Sequence, residues 1–91
     1  MPYLYSDKPE RVEMIADAWV IDQVIDWFGK DLAIRKTDDP EKIIISLWAS
    51  PYAMTLWALQ YINYVEVISP EHLRNKIRDC LKMGLDKYSK T

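Results

Sequence analysis

The sequence is poor in the residues that build catalytic and metal sites. It has one cysteine and one histidine in 91 residues, and its two glycines are isolated. A single cysteine excludes an internal disulfide framework and a zinc site made of several cysteines, and it fits a reducing compartment. Because Gly29 and Gly84 are far apart, a glycine-rich phosphate-binding loop is excluded as well.

Charge of one sign and long apolar runs are also missing. Lys and Arg number 12 against 14 Asp and Glu, so the net charge is −2 and no global basic field attracts nucleic acid. No run approaches the roughly 18 apolar residues of a membrane span. The N-terminus lacks the apolar segment of a secretory signal. We therefore expect a cytoplasmic protein with no membrane partner.

What the sequence does have is short apolar patterns of regular period. The length leaves room for one domain, and an apolar fraction of 49% is that of an ordinary globular protein. Residues 1–10 show no period and are interpreted as a linker from a missing preceding domain. Residues 11–91 form the single predicted domain.

Alternating and helical periods predict the elements of this domain. Strands are predicted over residues 11–17, 31–37, 41–49 and 65–68, and helices over 18–29, 52–62 and 71–88. The expected helix caps are Asp17, Ser50-Pro51 and Ser69-Pro70, with Gly29 after the first helix. The last helix is expected to bury a stripe made of Leu73, Ile77, Cys80, Leu81 and Tyr88.

The order of these elements predicts the fold class. It is β-α-β-β-α-β with an additional C-terminal helix, which is the ferredoxin-like α+β arrangement of an antiparallel four-stranded sheet. Right-handed crossovers place both connecting helices on one face of the sheet. The expected strand order is 4-1-3-2, numbered along the chain.

Each candidate for enzymatic chemistry lacks supporting groups. His72 is a lone histidine in the first turn of the last helix, and Cys80 lies on the apolar stripe without a positioned base. Asp22 and Asp26 are one turn apart and could touch a metal together, but no histidine or third acid supports them. We therefore expect no enzyme, no metal site and no cofactor.

The face of the sheet away from the helices is the main candidate site. Alternation places on it Glu13, Ile15, Arg35, Ile44, Ser46 and Trp48. The hairpin brings Arg35 near Ile44, Ser46 or Trp48, and an arginine beside an indole suits a nucleotide, a carboxylate or an aromatic side chain. Single-strand RNA binders present two or three stacking rings, whereas this face offers only Trp48.

The last helix offers a secondary basic surface. It is made of Arg74, Arg78 and Lys82. The alternative is that these side chains complement the helix dipole and line a solvated face. We place the open sheet face ahead of the basic helix as the principal contact surface.

Two segments resemble the C-terminal extension of WYL-domain bacterial transcriptional regulators. WALQYINYVEVISPEHLRNKI is similar to the stretch that closes those proteins, and LYSDKPERVEM with VIDWFGKD is similar to the segment leaving their WYL barrel. The matching positions are Arg11, Val12, Ile25, Asp26, Phe28, Gly29, Lys30, Asp31, Trp57, Tyr61, Val65, Glu66, Val67, Pro70, Leu73 and Arg74. Ile62 departs from the pattern, since the family usually has glycine there.

The resemblance implies a ferredoxin-like domain that helps to build the dimer and the effector groove of such a regulator. The helix-turn-helix and the WYL barrel are lacking, so we expect the chain to be an expressed fragment or a truncated gene product. The implied partners are the parent's own WYL and helix-turn-helix domains, a second subunit, and an unknown small-molecule or nucleic-acid effector. The alternative is a free-standing small-molecule-binding domain of ferredoxin-like fold.

Overall fold

The computed structural model describes residues 8–90, and this part of the chain is α+β. Its strands are β1 (Glu10–Asp17), β2 (Leu32–Lys36), β3 (Lys42–Ala49) and β4 (Val65–Ser69). Its helices are α1 (Ile21–Phe28), α2 (Pro51–Gln60) and α3 (Glu71–Tyr88), with a 3-10 turn over Ala18–Val20 before α1. The class and the order of elements are those that the sequence predicts.

The four strands form one antiparallel sheet in the order β2-β3-β1-β4. The predicted order 4-1-3-2 names the same neighbours counted from the other edge. Strand β1 is central, because β3 pairs with one side of it and β4 with the other. The arrangement is compatible with a ferredoxin-like fold.

The hydrophobic core lies on one face of the sheet. Val12, Met14 and Ala16 alternate along β1 and are each at most 1% exposed. Side chains from the helical segments pack against these strand residues and belong to the same core, namely Val20, Val24, Met54, Trp57, Ala58, Leu73 and Ile77. Side chains of α1 and α2 therefore share one core, as expected for two connecting helices on the same side.

Of the three predicted N-caps, Ser50 alone makes a side-chain cap hydrogen bond. Ser50 accepts a hydrogen bond from the backbone N–H of Ala53 at 3.2 Å. Asp17 occupies the N-cap position of the 3-10 turn, but its carboxylate makes no cap hydrogen bond and pairs instead with Lys42, which lies opposite it in the β1–β3 register. Ser69 remains in β4, and α3 begins after Pro70 without a side-chain cap.

The predicted boundary of the linker needs a correction. Residues 1–7 of the predicted linker lie outside the described residues. Glu10 belongs to β1, where it pairs with Ala49. Ile34 lies opposite the buried Ile45 and is 50% exposed because β2 is an edge strand.

The predicted buried stripe of α3 is only half correct. Leu73 and Ile77 are buried, but Cys80 is half-buried, Leu81 is 41% exposed and Tyr88 is 88% exposed. Helical period places these residues on one side of the helix, but it does not reveal how far the packed part of the domain extends. The C-terminal half of α3 therefore carries its apolar residues largely in solvent.

Trp57 of α2 is the largest fully buried side chain. Its ring meets Phe28 edge-on at a centroid distance of 6.0 Å and lies 4.8 Å from the ring of Tyr61. Its indole Nε1 is buried and has no hydrogen-bond partner within residues 8–90. The ring therefore contributes to the core by packing, while its N–H contributes nothing favourable.

We expect Trp57→Ala to lower the free energy of unfolding by about 3–5 kcal/mol, because it leaves a large cavity. Trp57→Phe should cost much less, since it keeps an aromatic ring and removes a donor without a partner. Urea unfolding followed by far-UV circular dichroism measures both changes. Equal losses for the two variants would show that the N–H makes a stabilising contact.

Candidate functional site

The open face of the sheet is set by the register of its strands. Ser46 lies opposite Glu13 on β1 and opposite Ala33 on β2. Ile44 lies opposite Ile15 on β1 and Arg35 on β2. The structure therefore brings the six predicted residues of this face onto three adjacent strands, with Trp48 completing the row on β3.

Glu13 is the centre of a hydrogen-bond network on this face. Arg35 Nη1 donates to Glu13 Oε2 at 3.2 Å, and Ser46 Oγ donates to the same oxygen at 3.1 Å. These two bonds link β2 and β3 to the central strand β1. Ser46 is buried although it lies on the open face.

The network lowers the pKa of the Glu13 carboxyl from its ordinary value. The hydrogen bond from Ser46 is the largest cause, and the hydrogen bond and positive charge of Arg35 add to it. Arg11 contributes through its charge, while partial burial acts in the opposite direction. Glu13 is therefore held as a carboxylate that orients Arg35 and Ser46.

The register places Arg35 opposite Ile44, one of its three predicted neighbours, and the arginine next to the indole is Arg11. Arg11 lies directly opposite Trp48 in the register, whereas Arg35 lies opposite Ile44 and is bound to Glu13. The alternation of β1 places Arg11 outward, but its pairing with Trp48 requires the register. Arg11 was missed as a site residue because no local pattern gives that register.

Trp48 borders a shallow depression at the β2–β3 end of the face. The indole is 62% exposed. The depression has a volume of about 210 Å³, and its walls are formed by Arg11, Asp31, Leu32, Ala33, Ser46, Leu47 and Trp48. Asp31 is a second site residue that sequence reasoning missed. An exposed ring between a guanidinium and a carboxylate can stack on a planar group and hydrogen-bond its polar edge.

The apolar part of the open face is small. Ile15 and Ile44 pair across β1 and β3, and both are half-buried. Ile68 on the edge strand β4 is 41% exposed. The face is therefore mainly charged and polar, and the indole of Trp48 is its most exposed aromatic ring.

The secondary basic surface is partly neutralised. Arg74 Nη1 donates to Glu66 Oε2 at 2.7 Å and to the carbonyl oxygen of Val67 at 2.9 Å. Arg78 lies 3.6 Å from Asp79, and Lys82 is exposed. Arg74 thus ties α3 to β4, which leaves Arg78 and Lys82 as the outward cations of this surface.

His72 and Cys80, two of the residues considered for enzymatic chemistry, are not in contact in the structure. His72 Nε2 lies 2.7 Å from Glu10 Oε1, a pair that the sequence does not reveal. Cys80 is two turns further along the same helix, about 12 Å away by helix geometry, so it is beyond the reach of this pair. Within residues 8–90, no three His, Cys, Asp or Glu side chains are grouped as metal ligands.

Comparisons with known proteins give no match. No protein family matches the chain, and no curated protein matches it. No helix in the described part of the chain combines the length and the apolar character needed to cross a membrane. The function is therefore inferred from the residues and their geometry.

The Glu13 network predicts a pH dependence of stability. Because folding lowers the pKa of Glu13, its contribution is present at neutral pH and is lost as the pH falls below about 4.5 through the lowered value. We expect Glu13→Gln to destabilise the domain at neutral pH and to make the free energy of unfolding fall less steeply in acid. Urea unfolding over a pH series measures this. An unchanged acid slope, relative to the control Asp22→Asn on α1, would contradict the network.

Proposed function

We propose that the chain is the C-terminal regulatory and dimerisation domain of a WYL-type helix-turn-helix transcriptional regulator. In this proposal the fold is ferredoxin-like, the parent protein is cytoplasmic, and the domain contributes to effector sensing and subunit assembly without being an enzyme or binding DNA itself. Its partners are the WYL and helix-turn-helix domains of the parent and a second subunit.

The positions that carry the resemblance have structural roles that support the fold part of this proposal. Trp57, Val67 and Leu73 belong to the core. Gly29 ends α1 with φ of +88°, a backbone conformation that favours glycine, and its N–H donates to the carbonyl of Ile25. These residues act through packing and chain direction, as expected for a motif without catalytic groups.

The departure at Ile62 is accommodated by a different turn. The backbone N–H of Tyr64 donates to the carbonyl of Tyr61 at 2.9 Å, and Ile62 packs against the core. Among the described residues, none other than glycine has positive φ. The turn before β4 therefore needs no glycine, and Ile62 gains apolar contacts in its place.

The single observation that carries the regulatory role is the exposed Trp48 beside the charged network of the open face. An indole that is 62% exposed on a regular strand exposes a large apolar ring to water, which is typical of contact surfaces. The network around Glu13 holds the neighbouring polar groups in fixed positions. A face of this kind suits an effector or the neighbouring barrel of the parent.

The alternative is a free-standing domain that binds a small molecule, and the depression beside Trp48 favours it. That depression has a ring, a cation and an anion in its walls. The length of the native reading frame distinguishes the two. A frame that encodes a basic helix-turn-helix head and a barrel before these residues supports the regulator, and a frame bounded by these residues supports the alternative.

We expect the double variant Trp48→Ala, Arg35→Ala of the parent regulator to fold normally and to lose effector response or self-association. A central tryptophan contact is worth about 2 kcal/mol or more, which corresponds to roughly a 30-fold weaker interaction. Trp27→Ala, which removes a 49% exposed ring from α1, is the matched control. If the folded double variant dimerises and responds normally, the open face is only solvated sheet and the contact surface lies on the last helix.

We expect the isolated chain to bind duplex DNA weakly at moderate salt. The net charge is −2, and Arg74 is engaged by Glu66. Specific binding needs several phosphate contacts and an element that reads bases. Fluorescence anisotropy titration tests this. Submicromolar binding that weakens steeply with salt would show that the basic helix is a nucleic-acid surface.

A further inference from the structure

The apolar row of α3 continues where the core ends. Leu73, Ile77, Leu81 and Leu85 follow one another at four-residue spacing, and their exposed fractions are 1%, 6%, 41% and 67%. Tyr88, one turn further, is 88% exposed. We call residues 81–88 the α3 extension. It presents a helical apolar surface that no other described element of the chain covers.

Helix α2 has an unusual outer surface for a solvent-facing helix. It contains no charged residue from Pro51 to Gln60. Tyr52 and Leu56 lie one turn apart on its outer side and are 47% and 44% exposed. A helix that is apolar on all sides is normally buried, so this surface is expected to be covered.

An open groove runs between α2 and α3. It has a volume of about 490 Å³, and its walls are Pro51, Tyr52, Thr55, Leu56, Leu59, His72, Leu73, Lys76 and Cys80. The walls are mainly apolar, and the charges at the rim come from α3. We call this the α2–α3 groove. It is suited to an apolar helix surface of about two turns.

We propose that two copies of this chain associate by exchanging their α3 extensions, each extension lying in the α2–α3 groove of the other copy. The chain carries both halves of such an interface, a protruding apolar helix end and a groove with mainly apolar walls. In a twofold-symmetric dimer, the extension of each copy contacts the groove of the other copy, so the same contact forms twice.

The area of the exposed apolar surface agrees with a second copy as the occupant. The apolar side chains that would take part expose on the order of 500 Å², taking roughly 150–250 Å² for a fully exposed large side chain, and they are Tyr52, Leu56, Leu81, Leu85 and Tyr88. That is more than half of the about 800 Å² per partner of a standard interface, before the flanking polar residues are counted.

This inference names the surface for the self-association in the proposed function, and it does not depend on the open sheet face. The open face displays Glu13, Arg35 and Trp48 on the side of the sheet opposite the helices. Loss of effector response in the Trp48→Ala, Arg35→Ala variant would therefore leave the exchange of α3 extensions intact, whereas loss of self-association in that variant would count against it. Conversely, a wild-type chain that does not dimerise would not affect the proposed role of the open face.

Sedimentation velocity on the full chain over a micromolar concentration series tests the proposal. We expect the wild-type chain to dimerise. We expect Leu85→Glu and Leu56→Lys each to raise the dissociation constant of the dimer at least tenfold. Trp27→Glu, which places a charge at an exposed position of α1, should leave the dimer unchanged. Circular dichroism of each variant establishes that it is folded.

Mixing the Leu56→Lys and Leu85→Glu variants separates exchange from other pairings. A mixed dimer has one unaltered contact and one contact in which the introduced lysine and the introduced glutamate meet, so the mixture should dimerise more tightly than either variant alone. Sensitivity to Leu85→Glu without sensitivity to Leu56→Lys would indicate pairing of extensions with each other and would overturn the exchange. A wild-type chain that stays monomeric would also overturn it, and the groove would then belong to a different partner.

Cys80 gives a second measurement on the unmodified chain. It is the single cysteine and it lines the groove, where it is half-buried. We expect its reaction with a thiol reagent to slow as the wild-type concentration rises and to remain constant for Leu85→Glu. A rate that is independent of concentration while the chain dimerises would place the interface elsewhere.

Discussion

The central position of β1 is the constraint on which both surfaces of the sheet depend. It pairs with β3 on one side and β4 on the other, and its alternation sends Val12, Met14 and Ala16 into the core. The residues between them, Glu13 and Ile15, necessarily face the opposite side. A one-residue slip of β1 would carry Glu13 into the core and expose the apolar set. The packing of the core therefore fixes the geometry of the candidate site.

The two outer surfaces of the domain differ in chemistry, and our proposals give each of them a different partner. The open face joins Arg35 and Ser46 to a carboxylate and leaves an indole exposed, so it can recognise a partner that is itself polar and planar. The outer side of α2 and the α3 extension lack that polar network. Their surface is suited to apolar side chains, and the same chain supplies such side chains at Leu85 and Tyr88.

Local patterns were enough to predict the element order and the outward direction of Trp48, because period and turn residues act over a few positions. They were also enough for Ser50, whose cap partner is three residues away. Asp17, Arg11 and Leu81 could not be placed in this way. The first two depend on the β1–β3 register, which pairs Asp17 with Lys42 and Arg11 with Trp48. The exposure of Leu81 depends on where the packed part of the domain ends, which is a property of the assembled fold.

Hydrogen–deuterium exchange of the unmodified chain at low and high concentration tests most directly whether the helical side is the self-association surface. The account predicts that rising concentration slows exchange in α2 and in the C-terminal half of α3, and leaves β1 and β3 unchanged. Helix ends that are exposed in the monomer gain protection when a partner covers them. Protection confined to β1 and β3, or no dependence on concentration in α2 and α3, would contradict the account.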